Sequence, residues 1–374
     1  MTTPIGARRG ARIAAMVVAA IVLAVGSVLV VQSALAGAAF QRAEAIRIEE
    51  ATWLAISQDE LDDAATEAVD DIAIAEAALA AAPVGYVSAE SAAALTDSSA
   101  ALAESLATAR SAAAKLPAAP EATLVPAALW DAGDELLDQA AAARAAVADQ
   151  AAAIHALRTA GSATDEAGAA LVASANAVAG GILPANPSVA NGPHVAFLRV
   201  LVDLKKEDGL DQHAVEMLTE YVARAAAVSA SHAAEEAEKA GPLYGLRAEV
   251  EAYARSISGG ALLDFNWQPT VIGYNMAGTA TIESSAPYFY STITLTNSIA
   301  ENWGEIVPLS LVTHEVGHAI TSKCMDLFNA SFGGDYERWA TAWAMSWGFP
   351  AGASGADSYG RPSDEQVAIA GTCR

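Results

Sequence analysis

Between residues 41 and 240 the chain is dominated by alanine, leucine, glutamate and aspartate, and it carries 31 acidic against 11 basic side chains. Alanine, leucine and glutamate favour helix, and the charges between them keep a helix surface wet. The stretch therefore predicts a series of helices broken by punctuation. One run carries a clear seam: Leu54, Leu61, Ala65, Ala68, Ile72, Ala75 and Leu79 follow a heptad spacing, with Trp53 and Ile56 beside it. Such a seam wants a partner helix, within the chain or from another protein.

The breaks define the elements. Pro83-Val84-Gly85 ends the first helix, and a second runs from about Ala89 to Leu116, before Pro117 and Pro120. A third spans about Glu121 to Thr159, with Gly161, Ser162 and Thr164 expected to interrupt it before a shorter helix ends near Gly180-Gly181. The run Leu183 to Pro193 reads as a loop or hinge, followed by helices over His194 to Lys206 and Asp211 to Lys239. A seam this rich in alanine buries little area per residue, so an elongated bundle is expected. The acidic surplus repels nucleic-acid backbones and anionic lipid, which argues against DNA or RNA as a partner.

The N-terminus sets the compartment. Arg8, Arg9 and Arg12 precede an uncharged apolar run from Ile13 to Val31, 19 residues long, about enough helix to cross a bilayer. Basic flanks stay cytoplasmic, which places everything after residue 40 outside. The competing reading is a signal peptide cleaved after Ala36, since Ala34-Leu35-Ala36 has the small-x-small form. Both routes export the chain, and export makes a disulfide the default for its two cysteines, Cys324 and Cys373.

Past Gly241-Pro242 the alanine repeats fade and aromatics, glycine and threonine rise. The expected organisation is a membrane anchor over 1–40, an acidic helical region over 41–240 and a small α+β domain over 241–374. Within the last, a helix from about Leu243 to Ile257 precedes strand-like pieces at Val271 to Tyr274, Thr279 to Glu283 and Tyr288 to Thr296. The third alternates, with Phe289, Ser291, Ile293 and Leu295 on one face.

Residues 314–318 read His-Glu-Val-Gly-His. On a helix, positions i and i+4 share a face, so His314 and His318 can converge on one ion. Glu315 is turned about 100° aside, within reach of a water on that ion without ligating it. Two imidazoles leave zinc one protein ligand short. Glu337 is the first choice, because it opens an apolar helix after Gly333-Gly334, 19 residues beyond His318; Asp335 is the alternative.

The HEVGH helix, followed by Glu337-x-x-Ala340-x-Ala342, resembles gluzincin metallopeptidases, especially small exported actinobacterial proteins of that pattern. The likeness covers roughly residues 286–350. It implies a zincin-like catalytic domain with His314, His318 and Glu337 as zinc ligands and Glu315 as general base. A zinc-activated water would then hydrolyse peptide bonds of a peptide or protein substrate. It also implies an orienting group four residues after the ligand glutamate, normally aspartate; here that residue is Thr341, whose hydroxyl can accept an imidazole N–H but carries no charge. In such proteins the strand before the metal helix lies along the cleft, a role that Tyr288 to Thr296 would fill. Tyr359 is the first choice for oxyanion donor, with Tyr336 and Tyr290 as others. The competing class is a non-enzymatic helical envelope scaffold or sensor ending in a degenerate metal-binding domain.

Overall fold

A computed structural model describes residues 6–270, 277–285 and 287–374, with side chains described over 15–270, 277–282 and 287–374. The expected strand at 271–274 lies outside them. The chain separates into two compact units, one of residues 1–77 with 93–168 and the other of 78–92 with 169–374.

The first unit is made of helices. α1 runs without a break over Gly6–Ala81, α2 over Ala89–Ser111 and α3 over Pro126–Ala185. The apolar run and the heptad seam thus belong to one helix. Its side chains from Met16 to Val31 are bare, whereas Ala36, Phe40 and Ala43 pack against Leu129, Ala132 and Leu136 of α3. Further along, Leu61, Ala64 and Ala68 meet Leu102, Leu106 and Ala109 of α2 and Ala153, Ile154 and Leu157 of α3. The seam is rotated slightly from its expected line: Ala64 and Ala78 are buried, while Ala65, Ile72 and Leu79 are only half-buried.

The expected break at Gly161 to Thr164 does not occur. Thr164 is buried and its hydroxyl donates to the Ala160 carbonyl, satisfying itself inside the helix. At Gly161 an added Cβ would stand 3.6 Å from Asp71 Oδ2, so the small residue marks a close approach of α1 rather than a helix end. The expected loop at 183–193 is also shorter. α3 continues to Ala185, and α4 starts at Asn191, with Pro193 in its first turn, where proline costs no intrahelical bond.

The second unit contains α4 (Asn191–Leu204), α5 (Gln212–Lys239) and α6 (Tyr244–Ile257), then β1 (Leu262–Gln268), β2 (Gly278–Ala280), β3 (Glu283–Ser285) and β4 (Tyr288–Thr296). There follow α7 (Asn297–Glu301), α8 (Ile306–Ala319), a 3-10 turn at Thr321–Cys324, α9 (Met325–Phe332), α10 (Tyr336–Ser346), α11 (Ala356–Tyr359) and α12 (Asp364–Ala370). Residues 169–240, expected to continue the helical region, are thus in one unit with the sheet. The backbone N–H of Asn191 donates to the Asp264 carboxylate at 2.7 Å, and its side chain donates to the Ser291 carbonyl at 2.9 Å.

β4 is central. It pairs in parallel with β1, Phe265 opposite Ile293, and antiparallel with β2 and β3, which lie end to end along its other side. The expected alternation appears, with Ser291, Ile293 and Leu295 buried, although Phe289 at the strand's start is exposed. One core joins the sheet to α6, α8, α9 and α10 through Ile293, Leu295, Val312, Val316, Phe328 and Trp339.

Candidate metal centre

α8 is apolar nearly all round and lies inside this core, so its polar side chains are buried with it: Thr313, His314, Glu315 and His318 are all less than a tenth exposed. Burial of such groups is costly unless each meets a partner or an ion. α10 supplies the partner. α9 ends at Phe332, Gly333 and Gly334 take positive φ of 58° and 89°, and Asp335 caps α10 by accepting from the Arg338 N–H at 3.0 Å. The reversal brings the first turn of α10 beside the last turn of α8.

Two contacts fix that crossing. An added Cβ on Gly317 would stand 2.9 Å from the Ala340 Cα, so the two helices approach backbone to backbone here only because residue 317 has no side chain. The Trp339 indole N–H donates to the Gly317 carbonyl at 2.9 Å. Glu337 Oε2 then lies 3.1 Å from His314 Nε2 and 3.4 Å from His318 Nε2, and one ligand atom from each residue lies within 4.8 Å of the other two. Among the described residues this is the one such cluster of three or more His, Cys, Asp or Glu. Asp335 is spent on capping and on an ion pair with Arg338 at 3.3 Å, so Glu337 is the carboxylate that reaches the imidazoles.

His314 Nδ1 lies 3.0 Å from the Ser354 carbonyl, which can only accept. Nδ1 therefore carries a proton, and without a metal Nε2 carries one too, donated to Glu337 at 3.1 Å; loss of that second proton would free Nε2 for the centre of the cluster. The expected orienting hydroxyl of Thr341 does not make this contact: Thr341 is fully buried and its Oγ1 has no hydrogen-bond partner among the described residues. Ser354 takes the role through its backbone, and its own hydroxyl meets Ser310 Oγ at 3.1 Å and donates to the Pro350 carbonyl. Neither the main-chain carbonyl of a loop 40 residues away nor its anchoring on Ser310 has a signature in the motif. Gly355, at φ 99°, allows this loop to press against α8, since a Cβ there would lie 3.3 Å from His314 Cε1.

The electrostatics follow from these neighbours. Hydrogen bonds from His314 and then His318 pull the Glu337 pKa down to about 2. For His314, burial is the largest single influence and opposes the cation, but the bond to Glu337, the charges of Glu315 and Glu337 and the Ser354 carbonyl together raise its pKa. Burial raises the Glu315 carboxyl above its ordinary value, against the pull of the two histidines.

Glu315 faces open space. A cavity of about 360 Å³ is bounded by Gly278, Leu311, Glu315, Ser354 and Tyr359, and an adjoining one of about 240 Å³ by Thr279, Ala280, His318, Tyr336 and Glu337. His314, Glu315, Gly278 and Tyr359 border both. The strand beside Glu315 is β2 and not β4: a Cβ on Gly278 would lie 3.1 Å from Glu315 Oε1, whereas β4 is shut between its neighbours in the sheet. Of the three tyrosines, Tyr359 stacks on the His314 ring at 5.9 Å and 20°, and Tyr336 packs on Phe328 while bordering the smaller cavity. Tyr290 is paired in the sheet opposite Leu262 and borders neither.

Cys324 and Cys373 are bonded to each other, which fastens the segment after α8 to the residues after α12. The Cys373 carbonyl accepts from the Trp343 indole at 2.8 Å, so this strap also holds α10. Comparison with protein-family models, curated proteins and solved structures finds no match to the chain.

Proposed function

We propose that the chain is a membrane-anchored, extracytoplasmic zinc-dependent peptidase. The observation that carries this reading is the convergence of His314, His318 and Glu337 from two helices onto one point beside an open cavity bordered by Glu315. Zinc bonded to nitrogen or oxygen at about 2.0–2.1 Å in tetrahedral geometry separates its ligand atoms by roughly 3.3 Å. The 3.1 and 3.4 Å separations from the Glu337 oxygen to the two imidazole nitrogens suit that spacing. A zinc ion held there would supply Lewis-acid activation of a carbonyl and of water. Glu315 takes the proton of the attacking water and returns it to the leaving amine, and its raised pKa suits a group that does both. The Tyr359 hydroxyl, on a ring fixed against His314, serves as hydrogen-bond donor to the developing oxyanion. The side of β2 turned away from β4 pairs with no other strand among the described residues and would offer main-chain groups to an extended peptide.

Retention of the anchor is supported by Ala36. It packs in an unbroken helix with Phe40, Leu129, Ala132 and Leu136, a contact that a chain cut after residue 36 would lose. The bare apolar side chains from Met16 to Val31 suit lipid.

The test uses the full chain in detergent or nanodiscs with a casein-derived fluorogenic peptide. Wild type should carry one zinc and hydrolyse the peptide, while Glu315→Gln keeps the zinc and loses activity by about 10²–10⁴-fold. Equal activity in the two forms, or a wild type that takes up no zinc, rejects the peptidase. A specific observation favours a second reading, a helical interaction protein: Trp53 and Ile56 stand exposed beside a groove of about 330 Å³ between α1 and α3. Zinc uptake without hydrolysis would favour it.

A further inference from the structure

We infer that the first unit touches the bilayer at a second place, through the tip of the α2–α3 connection and Trp130. The inference rests on the reading of residues 13–31 as a membrane span and adds a contact to it.

α3 runs parallel to α1 in a near-constant register. Gly133 lies against Phe40, Arg47 Nε donates to Gln139 Oε1 at 2.5 Å, and Gln150 donates to Gln58 at 2.8 Å, offsets of 93, 92 and 92 residues. The first residue of α3, Pro126, therefore stands level with about residue 33 of α1, two residues past the end of the apolar run. Trp130 stands level with about residue 37, roughly 9 Å beyond Val31 at about 1.5 Å per residue.

The connection descends to that level. The Ala112 carbonyl accepts from Gln150, the Pro117 carbonyl accepts from Arg47 at 2.9 Å, and the Ala118 carbonyl accepts from Gln139 at 3.4 Å. The segment thus travels beside α1 and α3 toward the N-terminus, and it ends in Leu124 and Val125, beside the last apolar turn. Leu124 is 97 % exposed, and Val125, Trp130 and the neighbouring Leu35 are also exposed. Single exposed apolar side chains are ordinary, but four gathered where an apolar helix ends form a patch. Leucine and valine suit the edge of the hydrocarbon, and tryptophan suits the headgroup layer above it. Glu121 and Asp131 are exposed at the same level and disfavour an anionic surface, so the partner is a zwitterionic lipid leaflet.

Both cysteines are consumed in the disulfide, so a single introduced cysteine takes a spin label selectively. Full chain in phosphatidylcholine nanodiscs is labelled at Leu124→Cys, at Val22→Cys in the apolar run and at Ala152→Cys, an exposed site far along α3. Collision with oxygen is compared with collision with a water-soluble nickel chelate. The inference predicts a lipid-like ratio at 124 and 22, several-fold above that at 152. A water-like ratio at 124 with a lipid-like one at 22 overturns the second contact alone; a water-like ratio at 22 overturns the membrane span itself. Protection of 124 from both reagents overturns the lipid assignment in favour of a protein partner.

Discussion

Replacing Gly317 with alanine probes the crossing that brings Glu337 to the histidines. The new Cβ would lie 2.9 Å from Ala340 Cα and 3.3 Å from both its Cβ and its carbonyl oxygen. Carbon atoms rest at about 3.5–4.0 Å, so α8 and α10 must part by roughly 0.5–1 Å. The obstacle is backbone rather than a side-chain end, and overpacking of this kind costs about 1–3 kcal/mol. For a unit of this size that is a fall in Tm of roughly 2–12 °C. The same displacement moves the Glu337 carboxylate from its 3.1 and 3.4 Å contacts, so zinc affinity falls as well. Thermal unfolding followed by the fluorescence of the buried Trp339 and Trp343, with competitive zinc titration, reads both effects. Alanine is intrinsically better than glycine in a helix by up to about 1 kcal/mol. A variant as stable as wild type or more so, with unchanged zinc affinity, would show that propensity alone governs position 317 and refute the close crossing.

Other consequences are equally open to measurement. Zinc affinity should fall as pH drops through the raised His314 pKa, since the proton and the metal compete for Nε2, and Glu337→Gln should move that midpoint to lower pH; a titration with the same midpoint in both forms would contradict the pairing. In the metal-free protein the Glu337 contribution is present above pH 4.5 and lost toward its folded value of about 2, whereas the His314 contribution is present below pH 6.5 and lost above it, so the pair stabilises most between the two. Reduction of Cys324–Cys373 opens a loop with a sequence separation of 49, worth about 4 kcal/mol by chain entropy, and loosens the Trp343 contact; equal denaturation midpoints with and without reductant would contradict this. Burial and the nearby Asp264 hold Glu235 at about 7, so it destabilises the fold as pH rises from 4.5 through 7; allowing for its partial exposure, Glu235→Gln should add about 1 kcal/mol at pH 8 and little at pH 4, a difference readable from urea midpoints.

What was legible in the sequence was periodic or local. The heptad spacing of α1, the alternation of β4 and the 314–318 motif each state their geometry within a few residues. Misreadings arose where a distant neighbour overrides a local preference. Gly161 resembles a break until Asp71 is seen across from it, and Thr341 resembles an orienting group until the Ser354 carbonyl is found in its place. Alternation points to the long strand as the one along the cavities, but β4 has partners on both sides and, among the described strands, short β2 is the outer one. Gly278 and Gly317 matter for what they lack, a Cβ, and only the packed structure shows the atoms that would collide.

The central claim is that three side chains of this chain hold one divalent ion. Zinc content per chain, measured after equilibration with a small excess and removal of free metal, tests it most directly in wild type, His314→Ala, Glu337→Ala and Asp335→Ala. The account predicts one zinc in wild type and Asp335→Ala, with most of it lost in the other two. Full zinc retention in Glu337→Ala would contradict it.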